Sequence, residues 1–280
     1  MGCTFEDGLC GYIQGLSPDE DDFDWIRTKG ETSSDSTGPR FDHTTGSGYY
    51  MYIEADGPED GKKAILKSHP QRATSGEGVC LTWYYHMYGP DVDKFNVYLQ
   101  QDDQNMPIFK RQGTQGNQWM YEQWTVSSTT SWAVVFEAYK GLGNAGDIAI
   151  DDVIVTDGAC SLQRTCDFEV GFCSWTQDSM DDFDWTIGNN GSMLEGTGPP
   201  SDHTMGTDLG MFAYVNTAKP PRAYGEVAQL YSPVYPAAVS ECLTFWFHLY
   251  GGAIGELEVH IYDTVSKAST SIWKETNPCK

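Results

Sequence analysis

Cys80-Leu-Thr-Trp-Tyr-Tyr-His-Met-Tyr-Gly89 decides the fold. Read as extended chain, Leu81, Trp83, Tyr85 and Met87 share one face, and Thr82, Tyr84 and His86 share the other. The same period continues outward. Phe95, Val97 and Leu99 alternate with Asn96, Tyr98 and Gln100, and Leu257, Val259 and Ile261 alternate with Glu258 and His260. Trp132-Ala-Val-Val-Phe136 and Ile148-Ala-Ile150 are further short apolar runs, and no segment keeps helical periodicity past two turns. With 13% aromatics and frequent Gly, Pro, Asp and Ser punctuation, the pattern predicts an all-β jelly roll or sandwich.

The deciding stretch returns as Cys242-Leu-Thr-Phe-Trp-Phe-His-Leu-Tyr-Gly251, a shift of 162. Cys3-Thr-Phe-Glu-Asp-Gly-Leu-Cys10 returns at Cys166–Cys173, Asp21-Asp-Phe-Asp-Trp25 at Asp181–Trp185, and Asp42-His-Thr44 at Asp202–Thr204. A near-constant offset means two tandem copies of one module. The boundaries read as 1–160 for a complete module, 161–165 for a short linker, and 166–280 for a second module that stops early. Copy two has no counterpart of Gly146-Asp-Ile-Ala-Ile-Asp-Asp152, so it is expected to lack its C-terminal strands and to be markedly less stable. Loss of the last strand is expected to expose a sheet edge and core.

Each module is long enough to bury a core. The formal charge is −23, from 17 basic and 40 acidic residues, which argues against nucleic acid or an acidic membrane surface as partner. No stretch approaches the roughly 20 apolar residues of a membrane helix. No secretory signal opens the chain, and Met1-Gly2-Cys3 fails as an acylation motif because Glu6 stands where Ser or Thr is needed. A piece of a longer, secreted parent is the simplest expectation.

The 8 cysteines suit an oxidising compartment. Cys3 and Cys10 are close enough to bridge locally, leaving Cys80 and Cys160 as the long-range pair. Loop entropy assigns these about 2.5 and about 4.5 kcal/mol. Zinc would want cysteines two to four residues apart or a close His cluster, and neither occurs.

Catalytic patterns are absent or misplaced. Gly141-Leu-Gly-Asn-Ala-Gly146 matches the dinucleotide fingerprint in form, but a strand follows instead of a helix, so a hairpin loop is expected. There is no nucleophile elbow, phosphate loop or His-Glu-x-x-His. His43 and His203 lie in acidic loops and His86 and His248 in aromatic strands, and a structural role is expected for each. Paired carboxylates such as Asp21/Asp22 and Asp151/Asp152 have nothing to place them across a cleft.

Taken together, Cys-x-Phe-Glu-x-Gly-x-Cys, Asp-Asp-Phe-Asp-Trp, Asp-His-Thr, Cys-Leu-x-Trp/Phe with His-x-Tyr-Gly, Gly-Asp-Ile-Ala-Ile-Asp-Asp and a closing Cys resemble the MAM domain of meprins, neuropilins and receptor tyrosine phosphatase mu. The resemblance covers copy one and the first two-thirds of copy two. It implies an extracellular, non-catalytic jelly-roll module of adhesion proteins that contacts protein partners, homophilic ones included. It also implies pairings Cys3–Cys10, Cys80–Cys160 and Cys166–Cys173. A Cys242–Cys279 pair is left over and out of register, at a sequence separation of 37 against 80 for Cys80 and Cys160.

Calcium takes six to eight oxygens, and no EF-hand loop is present. Glu6 on the first strand, Asp151 or Asp152 on the last, and Asp42 from a loop could converge on one structural Ca²⁺, as the resemblance also implies. Glu169 and Asp202 would form an incomplete site in copy two. Asp22 and Asp24, like Asp182 and Asp184, either reach such a cation or sit in water on a turn pinned by buried Phe and Trp. Asn190-Gly-Ser192 is a glycosylation sequon. Three function classes follow: an interaction or adhesion module, a glycan-binding jelly roll using exposed Tyr49, Tyr50, Trp119 and Trp124, or an accessory region of a larger extracellular enzyme such as a metalloprotease or receptor phosphatase.

Overall fold

The computed structural model describes residues 2–15, 20–102, 104–178, 180–189, 196–217, 221–237, 240–252 and 254–276. Asn190 and Cys279 lie outside them. The described chain is all β, and it divides into two compact units, one of residues 1–161 with 170–173, the other of 162–169 with 174–280.

Eleven strands build the first unit: β1 (Gly2–Cys3), β2 (Ile13–Gln14), β3 (Ile26–Lys29), β4 (Tyr49–Ile53), β5 (Lys63–Lys67), β6 (Val79–Met87), β7 (Val92–Gln101), β8 (Gln104–Gln112), β9 (Gly116–Val126), β10 (Trp132–Lys140) and β11 (Ile148–Asp157). One sheet runs β3-β4-β11-β6-β9, with β1 also on β11, and the other runs β2-β5-β10-β7-β8. Every ladder is antiparallel. Most successive strands change sheet, which is the jelly-roll arrangement.

The period-two pattern of β6 explains the core. Leu81, Trp83, Tyr85 and Met87 are all buried, facing Phe95, Val97 and Leu99 of β7 and Val134 and Phe136 of β10. Trp83 meets Phe109 at 5.5 Å and Phe136 at 6.3 Å between ring centroids, and Tyr85 meets Phe109 at 5.0 Å. Each fully buried large side chain contributes about 1.5–3 kcal/mol of transfer free energy. Disulfides Cys3–Cys10 and Cys80–Cys160 tie this unit.

Two expectations are corrected here. Gly141–Gly146 is no hairpin loop, because it carries the chain from β10 in one sheet to β11 in the other. Its glycines are required by close approach, since side chains at Gly141 and Gly146 would collide with the Asp91 carbonyl. Asp22 does not simply sit in water on its turn, and Asp21 beside it is likewise tied to backbone, while Asp24 is exposed. Asp21 is buried and accepts the N–H groups of Gly15 and Ile65, while Asp22 accepts the Lys63 N–H and the Lys62 ammonium at 2.9 Å. Trp25 behind them is buried and Phe23 half-buried.

The second unit holds β12 (Thr176–Gln177), β13 (Thr186–Gly188), β14 (Phe212–Tyr214), β15 (Leu230–Tyr231), β16 (Leu257–Tyr262) and β17 (Ser269–Glu275), paired only as β12-β15, β13-β14 and β16-β17 among the described residues. These are the counterparts of β2-β5, β3-β4 and β7-β8. Register is kept: Gln14 faces Leu66 and Gln177 faces Leu230, and the bulge after Val97 recurs after Val259. Asp181 and Asp182 again accept backbone N–H groups, from Gln229 and Val227, just before β15. Among the described residues no strand of the second unit corresponds to β9, β10 or β11, the last two being the middle strands of the first unit's sheets. Residues 242–249, which repeat β6, therefore form no strand, and Leu243, Phe245, Trp246 and Phe247 are exposed.

Cys166 and Cys173 are both disulfide-bonded and make the third pair. Cys242 carries a free, exposed thiol, so the Cys242–Cys279 pairing is overturned.

Candidate functional site

The acidic residues singled out in the first module gather on the loop from Asp42 to Tyr49. Asp42 is buried and folds the loop around itself. Its carboxylate accepts the N–H and hydroxyl of Thr45 and the N–H of Gly48. Burial pushes its carboxyl up, but these donors outweigh that and hold it below the ordinary range. Gly48 has to be glycine because a Cβ there would strike the Glu6 carboxylate.

Glu6 is not on the first strand. It sits in the turn just after β1, and its Oε1 accepts the Tyr49 N–H at 3.0 Å. Arg27 fixes that turn by donating to the carbonyls of Phe5 and Glu6, each at 2.6 Å, with its guanidinium 3.6 Å above the Tyr49 ring.

Asp151 and Asp152 are neighbours on β11, and simple alternation would send them to opposite faces. A register break between Asp151 and Ile154, with Asp152 at φ 47°, turns both toward the loop. Asp151 accepts the N–H groups of His43 and Asp152, at 2.9 and 2.8 Å. Asp152 accepts the Thr44 hydroxyl and meets His43 Nδ1, both at 2.7 Å. Asp151 is fully buried, and burial, reinforced by the Asp152 charge, pushes its carboxyl up to about 7. His43 stacks on Tyr84 of β6 at 3.4 Å between centroids.

This arrangement is a clasp, pinning a loop to the sheet. It is no nucleophile site, because the Thr44 hydroxyl donates to Asp152 rather than to His43, leaving nothing for the imidazole to activate. Carboxylate oxygens are the right donors for a hard cation. Here they are turned onto N–H and O–H groups, and no three His, Cys, Asp or Glu among the described residues are disposed to hold a metal.

Copy two keeps the loop half of the clasp. Glu169 accepts the Met211 N–H at 3.1 Å, and Asp202 accepts those of Met205 and Thr207. His203 stacks on Trp246 at 3.7 Å, as His43 does on Tyr84. Glu169 is shifted upward, mainly by burial, with the Asp202 charge contributing. Among the described residues no strand of the second unit brings counterparts of Asp151 and Asp152.

The outer face of the first sheet carries the aromatics. Tyr50 is wholly buried under the loop, its hydroxyl donating to the Gly30 carbonyl, so it cannot stack on a sugar. Tyr49 lies under Arg27. Trp119 packs against Tyr50 at 5.6 Å and donates to the Phe41 carbonyl, and Trp124 is half-buried on β9. Tyr84 and Tyr121, 5.3 Å apart, are half-buried beside them. Pairing of Tyr84 with His43 escapes a reading of histidines one at a time. Its signal lay in the repeat, where His203 and Trp246 recur together.

A family model described as "MAM domain, meprin/A5/mu" matches residues 3–161 and again 166–279. The chain belongs to the MAM domain family. Among curated relatives, thyroid hormone-induced protein B of Xenopus laevis is 41% identical over 167 residues, covering 57% of this chain and 23% of that protein. MAM domain-containing protein 2 of Homo sapiens is 41% identical over 160 residues, 56% of this chain and 23% of that one. MAM domain-containing glycosylphosphatidylinositol anchor protein 2 of Rattus norvegicus is 35% identical, over 58% of this chain and 18% of that one. The chain thus spans about a quarter or less of these relatives' length. Among solved structures, the K1 cleaved adhesin domain of Lys-gingipain from Porphyromonas gingivalis superposes with TM-score 0.42 at 14% identity, covering 56% of this chain and 96% of that one, a likeness that says nothing of function. No helix among the described residues is long and apolar enough to cross a membrane.

Proposed function

We propose that this MAM segment is a non-catalytic, extracellular protein-binding module that works through the outer face of the β3-β4-β11-β6-β9 sheet. The observation that carries this reading is the half-buried aromatic row of Tyr84, Trp119 and Tyr121, held rigid by the His43 stack and the loop clasp. Rigid aromatics with a polar rim are what protein interfaces use, since they bury much area at little entropic cost. Three disulfides support an oxidising, extracellular setting, and the rat relative's name as an anchor protein supports a cell-surface parent.

Beads coated with the full chain should aggregate, and Tyr84→Ser with Tyr121→Ser should abolish it. Coated beads that stay dispersed, with binding found only on a glycan array, would replace this reading by the sugar-binding one, which the same half-exposed rings favour.

A structural calcium at the clasp is part of the proposal, supported by the buried Asp151 beside Asp152 with N–H and O–H donors as its only compensation among the described residues. Calcium would supply charge compensation when bound, and its candidate ligands Glu6, Asp42, Asp151 and Asp152 would have to exchange the N–H and O–H partners they hold here for the ion. Melting temperature should rise on adding Ca²⁺ to the wild type and stay fixed in Asp151→Asn. A wild type indifferent to both Ca²⁺ and chelator contradicts the site.

A further inference from the structure

We propose that the outer face of the first unit's other sheet, β2-β5-β10-β7-β8, binds an extended anionic oligosaccharide, sulfated or carboxylated along its length. The aromatic row assigned to protein contact belongs to the opposite sheet, so this site goes beyond that reading and does not depend on it.

Alternation places the residues. Phe136 and Ala138 of β10 and Phe95 and Val97 of β7 are buried in the core, so Glu137, Tyr139, Lys94, Asn96 and Tyr98 turn outward. Register sets the rows across the strands. Lys67 of β5 stands beside Val135, and Val135 beside Tyr98. Lys110 of β8 stands beside Asn96, and Asn96 beside Glu137. Lys67 and Lys110 therefore sit at opposite margins of β5-β10-β7-β8, about 14 Å apart across three strand spacings, with Lys94 on β7 between them.

Charge singles out this face. The chain carries −23 overall, yet the acids that reach the face are already engaged. Glu137 is buried and accepts the Asn96 amide at 3.1 Å and the Tyr98 hydroxyl at 2.9 Å, with the Lys63 ammonium at 3.4 Å. Asp22 holds the Lys62 ammonium, and Asp93 accepts the Gln112 amide. Lys67, Lys94 and Lys110 enter no ion pair among the described residues, and Lys94 and Lys110 are exposed. Three ammoniums spread over rigid strands match a ligand with spaced negative groups rather than one small anion. Their pull acts at contact range, inside a screening length of about 10 Å, where it outweighs the more distant acids.

The face suits a saccharide rather than a peptide. Protein contacts anchor on large apolar side chains, and β5, β10 and β7 present no exposed large hydrophobic residue. What they present is half-buried Tyr98, Tyr139 and Gln100, the rings and amides that meet hydroxyl-rich ligands.

The test uses the full chain with a heparin octasaccharide of defined size. Binding should be saturable and should weaken at least about tenfold between about 50 and 200 mM NaCl. Lys94→Gln with Lys110→Gln should weaken it at least about fivefold, and Lys67→Gln added to them further, with the melting temperature unmoved. Lys29→Gln with Arg40→Gln, the same charge change on β3 and in the loop after it, should leave binding unchanged. Tyr84→Ser with Tyr121→Ser should leave it unchanged too, so failure here is separate from failure of the first-sheet reading. No saturable binding at about 50 mM NaCl, an equal loss in the Lys29 and Arg40 variant, or a loss in the Tyr84 and Tyr121 variant would each overturn the proposal. Poly-glutamate bound as tightly as the octasaccharide would overturn it in favour of an acidic peptide.

Discussion

Cys80–Met87 and Cys242–Leu249 carry nearly the same residues and have opposite fates. The first belongs to the nine-residue strand β6, with Leu81 and Trp83 fully buried, and residues 242–248 of the second are exposed and lie in no strand. The difference lies elsewhere in the sequence. β6 is a strand because β9 and β11 ladder to it and because β10 helps close the opposite sheet over its apolar face. Alternation gives a segment the capacity to be a strand, and neighbours decide whether it becomes one. Where pairs survive, as at β13-β14 or β16-β17, they keep the register of the first unit, so local pairing is robust while the sandwich is not.

The largest expected break in the comparison is at the matched aromatics. Trp83→Ala should destabilise the first unit by about 3–5 kcal/mol, whereas Phe245→Ala should change stability by under about 0.5 kcal/mol. Denaturation of the full chain, followed by proteolysis of each unit, measures both. The loop clasp should show a smaller contrast. Asp42→Ala removes the acceptor of the Thr45 N–H and orphans the buried N–H of Gly48, and should cost the first unit about 1–3 kcal/mol. Asp202→Ala should leave that unit's melting unmoved and only hasten cleavage within 203–210.

A still smaller effect should separate the units by pH. Glu122, buried opposite Arg111, is pushed up by burial to about 7, and Asp147 likewise to about 6. Their folded forms hold the proton more tightly than the unfolded chain does. The resulting stabilisation is present at low pH and lost as pH rises through about 6 to 7. The first unit should therefore melt higher at pH 5 than at pH 8, and Glu122→Gln should flatten that dependence.

Much of this was legible because β6 and β7 alternate cleanly, β10 and β11 show as short apolar runs, and the repeat offset marks the modules. β8 and β9 were not read, since Gln104–Gln112 is polar, interrupted by Pro107, and belongs to an edge. The candidate site was legible as residue types but not as geometry. A bulge at Asp152 puts two consecutive acids on one loop, against the alternation that sequence suggests, and Glu6 works from a turn. Asp21 and Asp22 look like solvated charge in sequence, because nothing there shows that β5 offers them its N–H groups.

Amide hydrogen exchange across the two copies of the deciding stretch tests the central claim most directly. Residues 79–87 should be protected to the level of global unfolding, while 242–249 should exchange near the rate of unstructured chain. Equal, strong protection of both stretches in the isolated chain would contradict it.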